Sequence, residues 1–305
     1  MPDPPHILML FLDGVGIGRT DPKVNPFFAA NMKTLRSLLG GALPDLRNSH
    51  LSTNNASLRP INATLRVTGL PQSGTGQTVL LTGMNAAAYI GKHYGPYPYS
   101  TLKPILEQKN IFKQLSERGK KVFYANAFPP RYFEWINSPK GRTAVISYSW
   151  LASGFKLNTN EVLARGDALS ADITGERWNA LGFPSVPVLT PQEAGKRLVG
   201  FIENYNFVLF EYYLTDKAGH SQSMEKAVDA LEQIDSLLEG IVEHMNFKKH
   251  LIVLTSDHGN LEDLSTKSHT RNPVPLLVIG SGHKEFTSEV KSLTHVTPSL
   301  LQLLQ

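Results

Sequence analysis

Three separated stretches of this 305-residue chain share one design: an apolar run that stops at an aspartate. They are ILMLFLDG, with Asp13, then FVLFEYYLTD, ending at Asp216, and HLIVLTSD, ending at Asp257. Runs this continuously apolar predict strands buried on both faces, as in a parallel sheet covered by helices. VPLLVIG (Val274–Gly280) has the same look. Between the second and third runs, Ala227, Leu231, Ile234, Leu238, Ile241 and Met245 recur at helical spacing and predict an amphipathic crossover helix. The β-α-β order predicts an open α/β fold with a mostly parallel central sheet and helices on both faces. In such sheets ligands gather at the carboxyl ends of the strands, which is where the aspartates fall.

The middle of the chain reads differently. From about residue 86 to 205 the strand-aspartate design disappears, and Pro, Gly and aromatic residues crowd in, as in GKHYGPYPYSTLKP and NAFPPRYFEW. The expected organisation is a discontinuous core, residues 1–85 and 206–305, with residues 86–205 as a small inserted cap domain over the site. Within that insertion a helix is expected over 104–118, a strand at KKVFYANAF, and a helix opened by Thr190 and Pro191. In the core, ATLRVTG reads as a strand, GQTVLLTG as a short helix, and TPSLLQLLQ as a last helix capped by Thr297 with Pro298 at its first position.

Composition narrows the function. With no cysteine, disulfides, thiolate metal sites and a cysteine nucleophile are excluded. Thirty basic against 26 acidic residues give +4, yet no Lys/Arg run of nucleic-acid-binding type occurs. A small anionic partner suits that balance better than nucleic acid or membrane. The start MPDPPHILMLFLDG lacks a basic leader, and no run approaches about 20 apolar residues, so a cytoplasmic protein is expected.

The polar residues at the strand ends carry the chemistry. Asp13 lies in LDGVGIG; DKAGH places Asp216 and His220 four apart, able to face one way on a helical turn; SDHGN supplies Asp257 and His258; and SHTRNPVP puts His269 just before a core strand. Each alone has a plain reading as a turn aspartate, a helix cap or a solvated loop histidine. Together, three aspartates and three histidines at one expected sheet edge point to a metal site. Mixed carboxylate and imidazole donors suit Mn²⁺ or Zn²⁺ over Ca²⁺ or Mg²⁺. Six side chains are about right for two divalent ions that keep positions open for substrate. A hydroxyl nucleophile is available at Ser73 in LPQSGTGQTVLLTG, near an expected helix N-terminus that would favour a phosphate, with Thr75 as its rival.

LDGVGIG, SGTGQTVLLTG, DKAGH, TSDHGN and SHTRNPVPLLVIG resemble the ordered metal-site motifs of the alkaline phosphatase superfamily. Within it, the chain looks most like the cofactor-independent phosphoglycerate mutase and phosphopentomutase branch. The resemblance implies a Ser/Thr nucleophile ten residues before a helical glycine, which from Gly83 gives Ser73. It implies one metal held by Asp216, His220 and His269, and a second by Asp13, Asp257 and His258 with Ser73. The implied function is phosphoryl transfer through a phosphoserine, as a phosphomonoester hydrolase or a phosphomutase acting on a small phosphorylated substrate. A phosphodiesterase or phosphonate hydrolase is the alternative, and a non-catalytic metal-binding module of the same fold the more distant one. Two departures bear on substrate. Gly74-Thr75-Gly76-Gln77 stands where the mutases have Glu-Val-Gly-His, and the mutases' FRADR segment has no counterpart. Arg131, Lys140, Arg142 and His93 are the cap residues expected to meet substrate. The sequence leaves the oligomeric state open.

Overall fold

The computed structural model describes residues 4–305. Seven strands form one sheet: β1 (His6–Leu12), β2 (Leu51–Ser52), β3 (Ala56–Ile61), β4 (Val122–Tyr124), β5 (Phe207–Tyr212), β6 (His250–Thr255) and β7 (Val274–Gly280). Their order across the sheet is β2-β3-β7-β6-β1-β5-β4. β6, β1, β5 and β4 run parallel, with Leu8 of β1 level with Val208 on one side and Ile252 on the other. The helices that matter for the site are α1 (Ser73–Thr82), α2 (Pro191–Ile202), α3 (Leu214–Ser221), α4 (Met224–His244) and α5 (Leu293–Leu303).

The expected sheet forms because its strands have no polar face. Leu8, Leu10 and Leu12 join a core on one side with α2 and α4, while Ile7, Met9 and Phe11 join a second core on the other with α1 and α5. Each such side chain contributes about 1.5–3 kcal/mol by leaving water. The crossover helix α4 spans Met224–His244, and its N-cap Ser223 accepts a hydrogen bond from Lys226 N. α2 opens as expected with Thr190 as N-cap and Pro191 at its first position, and Glu193 completes a reciprocal capping box with Thr190.

Four local expectations are corrected. β7 is a fully buried strand but runs antiparallel to β6. An apolar run encodes burial on both faces, not direction. ATLRVTG is a turn-rich loop, the strand lying upstream at Ala56–Ile61; Asn62 Oδ1 accepts from Leu65 N, and Leu65 and Arg66 take positive φ. The 104–118 helix is two helices, Lys103–Lys109 and Ile111–Glu117, because Asn110 is extended and caps the second through Lys113 N. The last helix starts a turn early, capped by Ser292, so Pro298 lies inside it and the Thr297 hydroxyl donates to Leu80 O.

The stretch 86–205 also builds the core. Its Val122–Tyr124 is the sheet's edge strand, and its Pro191–Ile202 helix packs on α4. No helix among the described residues is long and apolar enough to cross a membrane.

Candidate metal centre

Parallel β1, β5 and β6 end at one edge, and antiparallel β7 begins there. Strand direction therefore gathers Asp13, α3, the Asp257–His258 pair and His269 from four distant parts of the chain. Two close approaches need glycine. Gly14 has φ +67°, and a Cβ there would lie 2.4 Å from Asp216 Oδ1; one on Gly76 would lie 2.8 Å from Asp257 O.

Ser73 is the first residue of α1, a helix buried on all sides. Its Oγ lies 2.9 Å from His258 Nε2, and that nitrogen lies 3.3 Å from Asp13 Oδ1 and 3.7 Å from Asp257 Oδ2. Asp13 Oδ1 and Asp257 Oδ2 are buried without a hydrogen-bond partner. Such oxygens are costly unless a cation or proton meets them. Thr75, the rival nucleophile, has its hydroxyl committed to the Gln72 carbonyl at 3.1 Å.

On α3, Asp216 Oδ2 and His220 Nε2 are 3.2 Å apart, and His220 Nε2 is 3.2 Å from His269 Nε2. His220 Nδ1 bonds Lys267 O at 2.8 Å, and His269 Nδ1 bonds Pro71 O at 2.7 Å. A carbonyl only accepts, so each Nδ1 carries the proton and, in the neutral rings, each Nε2 presents a lone pair. Two lone pairs and a carboxylate converge with no donor between them, an arrangement suited to a divalent ion. His258 also stacks on His269, ring centroids 3.8 Å apart, so the donor sets share a wall. Asp216, His258 and His269 offer donor atoms within 4.8 Å of one another, as do Asp13, Asp257 and His258. The donors are oxygen and nitrogen, and the seven residues expected from sequence come together.

The electrostatics of these side chains fit this reading. Burial, then the Asp257 charge, raise Asp13 well above the usual carboxylate range, and burial also raises Asp257. Burial alone would strip His258 of charge, but Asp257 and Asp13 outweigh it and push its pKa up to about 10. Burial and the neighbouring His258 hold His269 down to about 4. The metal-free cluster therefore retains a proton at neutral pH, and an ion must displace it. Calorimetric titration with Mn²⁺ between pH 6 and 9 is expected to show proton release, with Kd falling by about tenfold per pH unit. A pH-independent Kd would contradict the shared-proton picture.

Sequence reasoning missed the residues that brace the donors. Glu262 is 1% exposed and accepts four hydrogen bonds. Gly16 N and Asn260 N bond one oxygen at 2.8 Å each, and Thr270 Oγ1 and Asn272 Nδ2 bond the other. One carboxylate thus ties together the loops carrying Asp13, His258 and His269. Asn260 Nδ2 also donates to Asp216 Oδ1 at 2.7 Å. The only signal was position, five and three residues beyond Asp257 in SDHGNLE. Glu262→Gln, which puts an amide NH₂ against N–H or O–H donors, is expected to weaken Mn²⁺ binding about 10–100-fold with native circular dichroism. Unchanged affinity would show that the loops hold their places without it.

The expected cap residues are less closely tied. His93 borders a pocket with Gln72, Lys92 and Gly95 beside the start of α1, and burial lowers its pKa. Arg142 lies over the Tyr97 ring, 5.6 Å from its centroid. Arg131 stands on the exposed Pro130–Ile136 helix, close enough to Tyr213 for its charge to be felt there. Lys140 is exposed and makes no hydrogen bond or ion pair among the described residues.

The fold is of alkaline-phosphatase-like architecture, and the donor clusters at its sheet edge are suited to divalent ions. Residues 183–305 match the sequence model of the Metalloenzyme superfamily. The 2,3-bisphosphoglycerate-independent phosphoglycerate mutase of Legionella pneumophila (strain Lens) is 27% identical over 219 residues, 65% of this chain but 41% of that enzyme. The Thermococcus gammatolerans enzyme of the same name is 24% identical over 302 residues, covering 89% of this chain and 70% of that one. In fold, a Pyrococcus horikoshii protein superposes with a TM-score of 0.61 at 15% identity, covering 100% of this chain and 98% of that one. The alkaline phosphatase of the Antarctic bacterium TAB5 gives 0.54 at 12% identity, covering 99% and 98%. The expected resemblance therefore holds in two respects: in sequence to phosphoglycerate mutases of this kind, and in fold to alkaline phosphatases.

Proposed function

We propose that this protein is a di-metal phosphoryl-transfer enzyme acting on a small phosphorylated substrate through a phosphoserine at Ser73. The observation that carries the reading is Ser73 Oγ at a helix N-terminus, 2.9 Å from His258 Nε2 and beside two buried carboxylate oxygens without partners. Two divalent ions, Mn²⁺ or Zn²⁺, held by Asp13, Asp257, His258 and Ser73 and by Asp216, His220 and His269, would supply the charge that activates the serine and neutralises phosphoryl oxygens.

The chain's own residues do the rest. Ser73 Oγ attacks phosphorus, the bond from phosphorus to the substrate oxygen breaks, and phosphoserine forms. Main-chain N–H groups of Ser73 and Gly74 make no backbone hydrogen bond among the described residues, and glycine at 95, where a Cβ would lie 3.2 Å from Ser73 N, leaves room beside them. A second nucleophile then takes the phosphoryl group from Ser73. Water makes the enzyme a phosphatase, and another hydroxyl of the same substrate makes it a mutase. The 86–205 segment, read as the cap, would exclude water in the second case and present Arg131, Arg142, His93 and Lys140 to an anion.

The test is turnover with Mn²⁺, Zn²⁺ or Mg²⁺ on p-nitrophenyl phosphate, its bis-ester and a panel of sugar phosphates, with acid-quenched protein mapped for phosphoserine. Monoester turnover with label at Ser73 is expected. Preference for the diester would overturn the monoester assignment. A folded protein that retains no metal and turns nothing over would make it a binding module.

A further inference from the structure

Toward the far end of the sheet lies a second polar cluster, away from the metal centre. Ser57 of β3 pairs with Val278 of β7, roughly 13 Å along the strand from the Val274 that opens β7 at the metal edge. Its hydroxyl lies 2.8 Å from His283 Nδ1, and His283 Nε2 lies 3.1 Å from Asn54 O. Ser52 Oγ of β2 is 2.9 Å from Ser57 Oγ. Ser57 and His283 are buried, whereas Ser52 is exposed. A chain of hydrogen bonds thus runs from a buried imidazole to the surface.

Asn54 fixes the direction of this chain. A carbonyl only accepts, so His283 Nε2 carries a proton and, in the neutral ring, Nδ1 is a lone pair. Ser57 donates to it and, with its one proton spent, accepts from Ser52. Ser52 then turns only lone pairs outward. A proton on Nδ1 reverses every step: His283 donates to Ser57, Ser57 to Ser52, and the Ser52 hydroxyl is free to donate outward.

The space outside Ser52 is built for negative charge. Ser52 and Ser57 line an open cavity of about 230 Å³ together with His50, Arg59 and Lys284, and no Asp or Glu lines it. Arg59 Nη1 is tied to the carbonyls of Thr287 and Ser288, which fixes its charge at the wall, while Nη2 makes no hydrogen bond among the described residues. Neither His50, Arg59 nor Lys284 forms an ion pair among those residues. Of the other titratable groups on elements packed against His283, Glu285 and Glu289 share its short helix, His283–Glu289, and are exposed outside the cavity lining. β7 carries none, and His295 of α5 accepts from Lys291 N. With Arg59 and Lys284 close by, a proton on His283 is costly by itself, and an anion in the cavity offsets that cost. Ser57 and Asn54 alone would satisfy a structural histidine, so the extension to exposed Ser52 points to a ligand.

We propose that this cavity binds a tetrahedral oxyanion of the sulfate or phosphate class, which enters together with a proton on His283. Lys284 and Arg59 supply the charge, and Ser52 donates a hydrogen bond that the protonated chain makes available. By linkage, the anion tightens proton binding by the same factor as the proton tightens anion binding. The site is remote from Ser73 and stands whether or not the phosphoryl-transfer reading does.

The test is calorimetry of the full-length protein with sodium sulfate, an anion that does not itself titrate near neutral pH. Titrations in buffers of different ionisation enthalpy are expected to show uptake of about one proton per sulfate at pH 8, with Kd rising about tenfold per pH unit. Ser52→Ala should weaken sulfate binding about tenfold and abolish the proton uptake. Lys284→Ala should weaken binding by about three- to tenfold with the uptake kept, and His50→Gln should also keep it, since His50 lies outside the chain. Ser52 and Lys284 are exposed, so their variants test the site without disturbing the fold. Binding should survive a chelator, which separates it from any anion held at the metal centre. Glucose 6-sulfate in the same titration distinguishes the free ion from the group carried on an ester: tighter binding than sulfate assigns the site to the ester, weaker binding to the ion. Sulfate binding that is absent, vanishes with chelator, takes up no proton or is untouched by Ser52→Ala would overturn the proposal.

Discussion

Ser73→Ala is expected to lower phosphomonoester turnover by about 10³-fold or more, because no other hydroxyl occupies its position. Among the described residues its Oγ makes one hydrogen bond, to His258, so the thermal midpoint should move little. Thr75→Val is the matched control. Thr75 Oγ1 donates to Gln72 O and receives Tyr94 N, so removing it should disturb the loop at residues 92–95 and leave the chemical step within about tenfold. Steady-state kinetics on the two variants check this. Retention of a tenth or more of parental turnover by Ser73→Ala would remove Ser73 as the nucleophile.

Asp257→Asn is expected to act in opposite directions with and without metal. With Mn²⁺ present, the variant should lose the ion of the Asp13–Asp257–His258 set and about 10³-fold in turnover, read by metal analysis of the purified protein. Stripped by a chelator at pH 8, it should be more stable than the parent by on the order of 1–2 kcal/mol, because burial makes the Asp257 charge costly even after its attraction to His258 is counted. The pH dependence follows from the raised carboxylates. A folded pKa above the unfolded value near 4 means that the native state binds more protons. Metal-free parent therefore loses stability as pH rises from about 4 through the raised value, and the variant loses less. Urea melts at pH 5 and pH 8 in chelator test the sign; a metal-free variant weaker than the parent at pH 8 would refute it.

The donor residues were legible because chemistry and topology coincide in them. An apolar run that ends in Asp marks both a buried strand and the edge where that strand stops, so Asp13, Asp216 and Asp257 could be assigned to one place. His269 was legible by motif, although the geometry that delivers it differs from expectation. β7 brings it there by starting at the edge where β6 ends. Glu262 and Asn260 act through main-chain N–H groups and other side chains, contacts that leave no periodic trace. Between the Val122–Tyr124 strand and the Pro191–Ile202 helix the chain is mostly short helices and loops, and which of its cations face the site depends on loop paths that composition does not encode. The same limit misplaced ATLRVTG, whose β-branched residues outweighed the turn set by Asn62.

The four donors to Glu262 come from residues 16, 260, 270 and 272, none of them in the 86–205 stretch. The carboxylate that aligns the loops carrying Asp13, His258 and His269 is thus held without help from residues 86–205. A lineage built on this plan can vary that stretch without disturbing the clasp beneath the sheet edge. Diversification should then concentrate in the segment between residues 126 and 190, while the short stretches around 13–16, 257–262 and 269–272 change together or not at all.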